Sequence, residues 1–219
     1  MRADLDLVGA RMEDLYTGII HDVLRTRGEA TGVLPKGIHS LAASGKVGGV
    51  AFTMSGEPDR SISGHESLLL WTEFLSEVPP GSVVVSQPND LEIAHMGELS
   101  AETLQYRGVR GFIVDGGCRD SRLVIDMGFP VWCRYTTPED VVGRWRVDAL
   151  GEPIVIGTVV VESGDWVLAD EDGVVVVPAA IADVVVSEAE VQAATEDKIR
   201  AAILAGISPK DAYLEHGKF

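Results

Sequence analysis

The sequence predicts an α/β fold. Three observations lead there: helical periodicity alternates with short apolar runs between residues 46 and 135, two β-rich stretches with hairpin turn dipeptides follow between 154 and 177, and a long helical pattern begins at 181.

Apolar residues at Leu5, Val8, Met12, Leu15, Ile19 and Val23 step by three and four, which predicts amphipathic helix over 5–25. Thr17-Gly18 predicts a break, with Thr17 as cap of the second piece. Residues 28–45, rich in Gly and Pro, read as loop with a short extended piece, and 46–54 as a strand. Leu68, Trp71, Leu75 and Val78 share one face of a helix over 64–78, which Pro79-Pro80-Gly81 ends. Residues 82–86 read as a short buried strand, 87–95 as loop and 97–107 as helix. GFIVD (111–115) is predicted as a strand, Gly116-Gly117 as a tight turn, 121–127 as a short helix and 131–135 as the next strand. Residues 154–162 and 166–177 read as antiparallel hairpins turning at Ser163-Gly164 and Asp172-Gly173. Helix is expected over 181–205, and Ser208-Pro209 predicts an N-cap with proline at the first position of a last helix. No repeat, low-complexity tract or linker interrupts residues 1–219, so one domain is expected.

The charge balance narrows the function. With 18 basic and 34 acidic residues the net charge is -16, and no Lys/Arg run occurs, which argues against nucleic-acid binding. An acidic chain that takes an anionic substrate needs a local positive centre, from a metal ion, an arginine or a helix N-terminus. Cys118 and Cys133 are too few for a disulfide framework, no apolar run approaches membrane-spanning length, and the N-terminus has no signal-peptide pattern. A cytoplasmic protein with no membrane partner is expected.

The chemistry concentrates in GELSAETLQYRGVRGFIVDGGCRD, residues 97–120. It sets Glu98 at the start of a helix and Arg119-Asp120 just past a strand, and in open α/β sheets functional residues gather beyond the carboxyl ends of strands. Arg119 offers a planar fork that matches a carboxylate. Asp120 is a hard oxygen ligand suited to Mg2+ or Mn2+. Together they suit a 2-oxo acid, with arginine on the carboxylate and metal on the keto oxygen. An adjacent Arg-Asp pair is equally what an exposed ion pair looks like, contributing about 0–1 kcal/mol.

This block, with Gly128-Phe129-Pro130-Val131 and the run from Ser163 to Pro178 (SGDWVLADEDGVVVVP), resembles the 4-hydroxy-4-methyl-2-oxoglutarate aldolase family, which shares its fold with the regulator of ribonuclease activity A. The resemblance covers roughly residues 5–215. It implies a layered α/β/β/α fold with a small central β-barrel, and assembly as a homotrimer or homohexamer with sites between subunits. Family aldolases carry an acidic residue, twenty residues, then Arg-Asp; Glu98 stands twenty-one positions before Arg119, where the acid is more often Asp. Regulators without aldolase activity tend to lack it. By resemblance Arg119 binds the substrate carboxylate and carbonyl, and Asp120 ligates the divalent metal with water in the other positions. Glu98 holds a proton-shuttling water, and the backbone N–H groups of Leu99 and Ser100, next to Gly97, cradle the carboxylate. Glu196 matches a glutamate donated by a neighbouring subunit, although it lies in an acidic helix stretch that also reads as a solvated face. The implied activity is class II cleavage of 4-hydroxy-4-methyl-2-oxoglutarate or a related 4-hydroxy-2-oxo diacid to pyruvate, with oxaloacetate decarboxylation as a side activity. The alternative is a non-catalytic protein inhibitor of a ribonuclease.

Other candidates have plainer readings. Cys118 has no histidine nearby in sequence to activate it. His95 reads as loop packing close to the site, and His21-Asp22 as helix capping and core hydrogen bonding. His65-Glu66 lacks partners at metal-ligand spacing, and Asp170 with Asp172 fits a hairpin turn better than a calcium loop. Arg144 is a candidate for a distal substrate carboxylate, or for a surface role.

Overall fold

A computed structural model describes residues 2–30 and 32–218. In chain order the elements are α1 (Arg2–Glu13), α2 (Thr17–Arg27), β1 (Gly32–Val33), β2 (His39–Ser40), β3 (Val47–Pro58), α3 (Gly64–Glu77), β4 (Ser82–Gln87), α4 (Glu98–Tyr106), β5 (Gly111–Val114), β6 (Gly117–Cys118), α5 (Ser121–Met127), β7 (Val131–Cys133), β8 (Tyr135–Thr136), β9 (Trp145–Leu150), β10 (Ile154–Ile156), β11 (Val159–Val161), β12 (Trp166–Asp170), β13 (Gly173–Val177), α6 (Ala182–Leu204) and α7 (Pro209–His216).

A nine-stranded sheet runs β1-β13-β12-β3-β4-β5-β7-β2, with β9 paired to the far half of β3. Its centre, β3-β4-β5-β7, is parallel, and β12 and β13 join antiparallel. Consecutive strand residues face opposite sides, so both faces are apolar. Val167, Ala169, Val174 and Val176 join Val83, Val85, Ile113 and Trp132 in a cluster towards which the sheet curls, with the β10-β11 hairpin packed on it. The strand path does not close by hydrogen bonds among the described residues, yet this shared interior gives the layered α/β arrangement its inner core. On the other face, Trp166, Leu168, Val175 and Val177 pack on α1, α2 and α6. Val84, Phe112, Val114 and Val131 pack on α3, α4 and α5. Each such buried side chain stabilises by about 1.5–3 kcal/mol.

Several expectations are corrected. Tyr16, not Thr17, is the N-cap of α2; Thr17 gives its backbone N–H and its hydroxyl to buried Asp170, 2.8 Å each, so a distant carboxylate caps this helix. Asp170 also accepts the Asp172 N–H, as a hairpin turn requires. The stretch predicted as one strand over 131–135 is split at Arg134 into β7 and β8, and Gly117 pairs with Tyr135 in β6 instead of turning. Strand β9 has no counterpart in the sequence reading. His21 and Asp22 are partly exposed, with Asp22 paired to Arg25, and contribute nothing to the core. Glu66 closes a capping box with Ser63 at the start of α3. No helix among the described residues is long and apolar enough to cross a membrane.

Candidate active site

The loops that follow β4 and β5 lie side by side at the carboxyl end of the parallel strands. Ala94 bridges Gly117 in parallel, the His95 N–H donates to the Gly117 carbonyl (2.9 Å), and the Arg119 N–H donates to the Met96 carbonyl (2.8 Å). This short ladder brings Glu98, twenty-one positions earlier in the chain, beside Arg119 and Asp120. Gly97 is what lets the loops close up: a Cβ there would lie 2.8 Å from Asp120 Oδ2 and 3.0 Å from Arg119 Cγ.

Asp120 sits in the left-handed region at φ 53, which Asp and Asn tolerate better than most residues. Its Oδ2 accepts the Glu98 N–H (3.2 Å) and Arg119 Nε (3.2 Å). Arg119 Nη1 donates to Asp140 Oδ2 at 2.9 Å. Burial works against the Arg119 charge, but Asp120 and Asp140 outweigh it and raise its pKa above the ordinary value. All three side chains are a little over one-third exposed (37%, 36% and 39%), so their pairing stabilises the fold by only about 0–1 kcal/mol.

Gly97, Glu98, Leu99, Ser100, Arg119, Asp120 and Asp140 line one cavity of about 460 Å³. Gly97, the N-cap of α4, has no side chain to receive the first-turn N–H groups of Leu99 and Ser100, which no intrahelical carbonyl can reach. Helix α3 forms the opposite wall with Leu68, Trp71 and Leu75, and Trp71 Nε1 donates to Ser100 Oγ at 2.9 Å. Asp140 and this α3 wall are the residues that sequence reasoning missed. Both come from segments remote in the chain, and only the helical spacing of Leu68, Trp71 and Leu75 hinted at a packed face.

His95 lies in the cavity floor, 1% exposed, its ring edge-on to Trp145 at 5.2 Å. Neither ring nitrogen has a hydrogen-bond partner among the described residues. Asp90 Oδ1, 3.5 Å from Nε2, is near enough to attract a protonated ring without forming a hydrogen bond, and it already accepts the Glu92 and Ile93 N–H groups. Burial pushes the His95 pKa down from 6.5 to about 4, against the smaller opposing pull of Asp90. The folded state therefore binds fewer protons than the unfolded chain between those values. Its stability is whole above pH 6.5 and falls as pH drops towards 4, by about 3 kcal/mol at about 1.4 kcal/mol per unit. Denaturant unfolding of wild type and His95→Leu across pH 4–7.5 checks this: the variant is expected to lose that slope, and equal slopes would refute it.

Other candidates lie elsewhere. Glu196 borders a different surface cavity, on α6, where it accepts from Tyr16 and Gln192. Arg144 pairs with Glu139 at 2.5 Å in a cavity on the other side of the 139–143 loop. Asp115 is held by Arg134. Cys118 is fully buried, and burial pushes its thiol up to about 12, so it is no nucleophile at neutral pH.

The chain matches the RraA-like family, described as Aldolase/RraA, over residues 17–176. A relative in Halalkalibacterium halodurans, named "Putative 4-hydroxy-4-methyl-2-oxoglutarate aldolase", is 32% identical over 143 residues, which is 64% of this chain and 66%, just under two thirds, of that protein. Among solved structures, an uncharacterized protein from Pseudomonas syringae pv. tomato superposes with a TM-score of 0.82 at 29% identity, covering 97% of both chains. Streptomyces coelicolor RraAS2, described as a member of the RNase ES inhibitor RraA protein family, gives 0.76 at 30% identity, covering 87% of this chain and 94% of its own.

Proposed function

We propose, from the premise that this chain belongs to the RraA-like family, that it is a divalent-metal-dependent aldolase releasing pyruvate from a 4-hydroxy-2-oxo acid. One observation carries the reading: Glu98, Arg119 and Asp120 meet in a single cavity beside the uncapped N–H groups of Leu99 and Ser100. The aldolase name of the Halalkalibacterium halodurans relative supports it, and 4-hydroxy-4-methyl-2-oxoglutarate is the reference substrate.

The residues fit a hard cation. Asp120 Oδ2 holds the Glu98 N–H and the Arg119 side chain, while Oδ1 has no hydrogen-bond partner among the described residues, and the side chain lines the cavity and is partly exposed. No cluster of three or more ligating side chains occurs among the described residues. One carboxylate with water and substrate oxygens is a ligand set that Mg2+ or Mn2+ accepts. Bound there, the ion supplies Lewis acidity for the 2-oxo group.

Arg119 grips the C1 carboxylate with its fork, and the α4 N-terminus adds backbone N–H groups to the same anion. In the cleavage the C4 hydroxyl gives its proton to the water held by Glu98 and the C3–C4 bond breaks. Its electron pair stays with C3 as the pyruvate enolate, C4 leaves as a carbonyl, and C3 takes up a proton. Glu98 holds the water that carries this proton. Oxaloacetate decarboxylation passes through the same enolate, which makes it the expected side activity. Assembly as a trimer or hexamer, with Glu196 reaching a neighbouring copy's site, belongs to the same proposal.

The test is pyruvate release by the purified chain with Mg2+ or Mn2+; no release from 4-hydroxy-2-oxo acids or oxaloacetate ends the aldolase reading. Glu98→Gln is expected to slow turnover about 10²-fold with KM little changed, and an unchanged rate would remove Glu98 from proton transfer. The second reading, inhibition of a ribonuclease, draws on the description of RraAS2 and on the net charge of -16, which suits docking onto a basic segment. Its mark would be salt-sensitive co-precipitation with such an enzyme.

A further inference from the structure

We propose that Ser100 is a further ligand-binding residue of this cavity: its side-chain hydroxyl, oriented by Trp71, donates a hydrogen bond to the C1 carboxylate that Arg119 receives. Trp71 is then a positioning residue, acting through Ser100. This rests on the 2-oxo acid reading of the same cavity and deepens it.

The polarity of one hydrogen bond carries the inference. Trp71 Nε1 donates to Ser100 Oγ at 2.9 Å. An indole N–H can only donate, whereas a serine hydroxyl has one hydrogen and two lone pairs. Ser100 therefore accepts from Trp71, and its own hydrogen is left for another acceptor. Trp71 is 7% exposed and packs against Phe74 (ring centroids 5.0 Å apart) and Trp145 (6.1 Å), so the donor that sets this polarity is fixed in α3.

The acceptors within reach in the backbone of α4 are engaged. A hydroxyl in a helix can turn back to the carbonyl three or four residues earlier, as Thr103 does to Leu99 (2.7 Å) and Thr72 to Leu68 (2.9 Å). For Ser100 those carbonyls belong to Gly97, which takes the Ala101 N–H (3.0 Å), and to Met96, which takes the Arg119 N–H (2.8 Å). Ser100 lines the cavity together with Arg119 and Asp120. It is the third residue of α4, and Cα–Cβ bonds tilt towards the N-terminus of a helix, so the hydroxyl lies level with the N–H groups that open the helix. An anion seated there against the Arg119 fork meets the hydroxyl as a further donor. A divalent ion on Asp120 or a side chain from a neighbouring copy adds to the cavity without altering this bond, which both partners make within one chain.

The C1 carboxylate keeps its charge from substrate to enolate, so a donor to it holds both alike and shows in KM, not in kcat. Calorimetry of pyruvate with Mg2+ present, beside steady-state kinetics, is the test. Ser100→Ala is expected to weaken pyruvate binding about 10-fold, as loss of one hydrogen bond to a charged group does, and to raise KM by a similar factor with kcat within about threefold. Ser100→Thr keeps the hydroxyl and is expected to bind within about threefold of wild type. Trp71→Phe keeps a ring and removes the N–H; it is expected to weaken pyruvate about threefold in the wild-type background and not at all in Ser100→Ala. Equal losses in both backgrounds would make Trp71 a packing residue only, and unchanged affinity in Ser100→Ala would detach the hydroxyl from the anion; either result overturns the proposal. If affinity is unchanged in Ser100→Ala while wild type releases pyruvate from 4-hydroxy-2-oxo acids, the aldolase reading stands without it. Weakened binding in a chain that releases no pyruvate does the reverse: Ser100 keeps its role and the aldolase reading falls.

Discussion

Arg119→Lys is expected to lower kcat/KM for pyruvate release by about 10³-fold while leaving thermal unfolding almost unmoved. The guanidinium works here as a fork: Nε lies against Asp120 and Nη1 against Asp140, 3.2 and 2.9 Å away. That pairing fixes the plane in which a carboxylate can be received. A lysine ammonium is a point charge on a flexible stem and cannot span both anchors and a substrate at once. Loss of one well-placed donor in an active site typically costs 10²–10³-fold, and loss of orientation adds to it. Because the ion pairs are more than one-third exposed, their removal changes stability by about 1 kcal/mol or less. Steady-state kinetics beside a melting curve separates the two effects. Activity within tenfold of wild type would show that charge alone suffices, and the fork would have no role.

Asp120→Asn is expected to remove about 10³–10⁴-fold of the metal-dependent rate, since Lewis-acid assistance is worth several kcal/mol and each 1.4 kcal/mol is a factor of ten. The substitution isolates charge from backbone. Asn accepts the left-handed conformation that position 120 adopts (φ 53), and its carbonyl oxygen can still receive the Glu98 N–H. Metal titration followed by calorimetry should show the affinity for Mn2+ falling along with the rate. Wild-type metal affinity in the variant would move the cation to another carboxylate, with Asp140 the first to examine.

Much of this site was legible in the sequence because it is built from two short segments whose local chemistry is self-contained. Gly97-Glu98 opens a helix, and Arg119-Asp120 follows a strand through a glycine pair; each reads from neighbouring residues alone. The pairing of those segments through Ala94 and Gly117 is a tertiary event, and it was reachable only through family resemblance. Asp140 was not reachable at all: it lies among turn residues, and only the path of the chain before β9 carries it to Arg119. Strand β9, by contrast, was legible and went unread: RWRVDAL alternates charged with apolar residues, the period of a half-buried strand, and Trp145 and Val147 are its buried positions. The Thr17 cap failed for a reason related to that of Asp140. A threonine before a helical run is the usual local signal, and Asp170 displaced it from 153 positions away.

The split pairing of β3 leaves the two sides of the cavity unequally anchored. β12 pairs with residues 47–50 of β3 and β4 with residues 50–55, and β4 is paired again on its other edge to β5, while β9 is tied only to residues 54–58 of β3, across an irregularity at Ser55/Gly56. Detaching a ribbon bonded along one edge takes less free energy than opening strands laced on both. Amide hydrogen exchange should therefore reach the 137–150 segment well before the parallel centre, so that one flank of the cleft can breathe while the guanidinium and its neighbouring carboxylate stay seated on the slow-exchanging core.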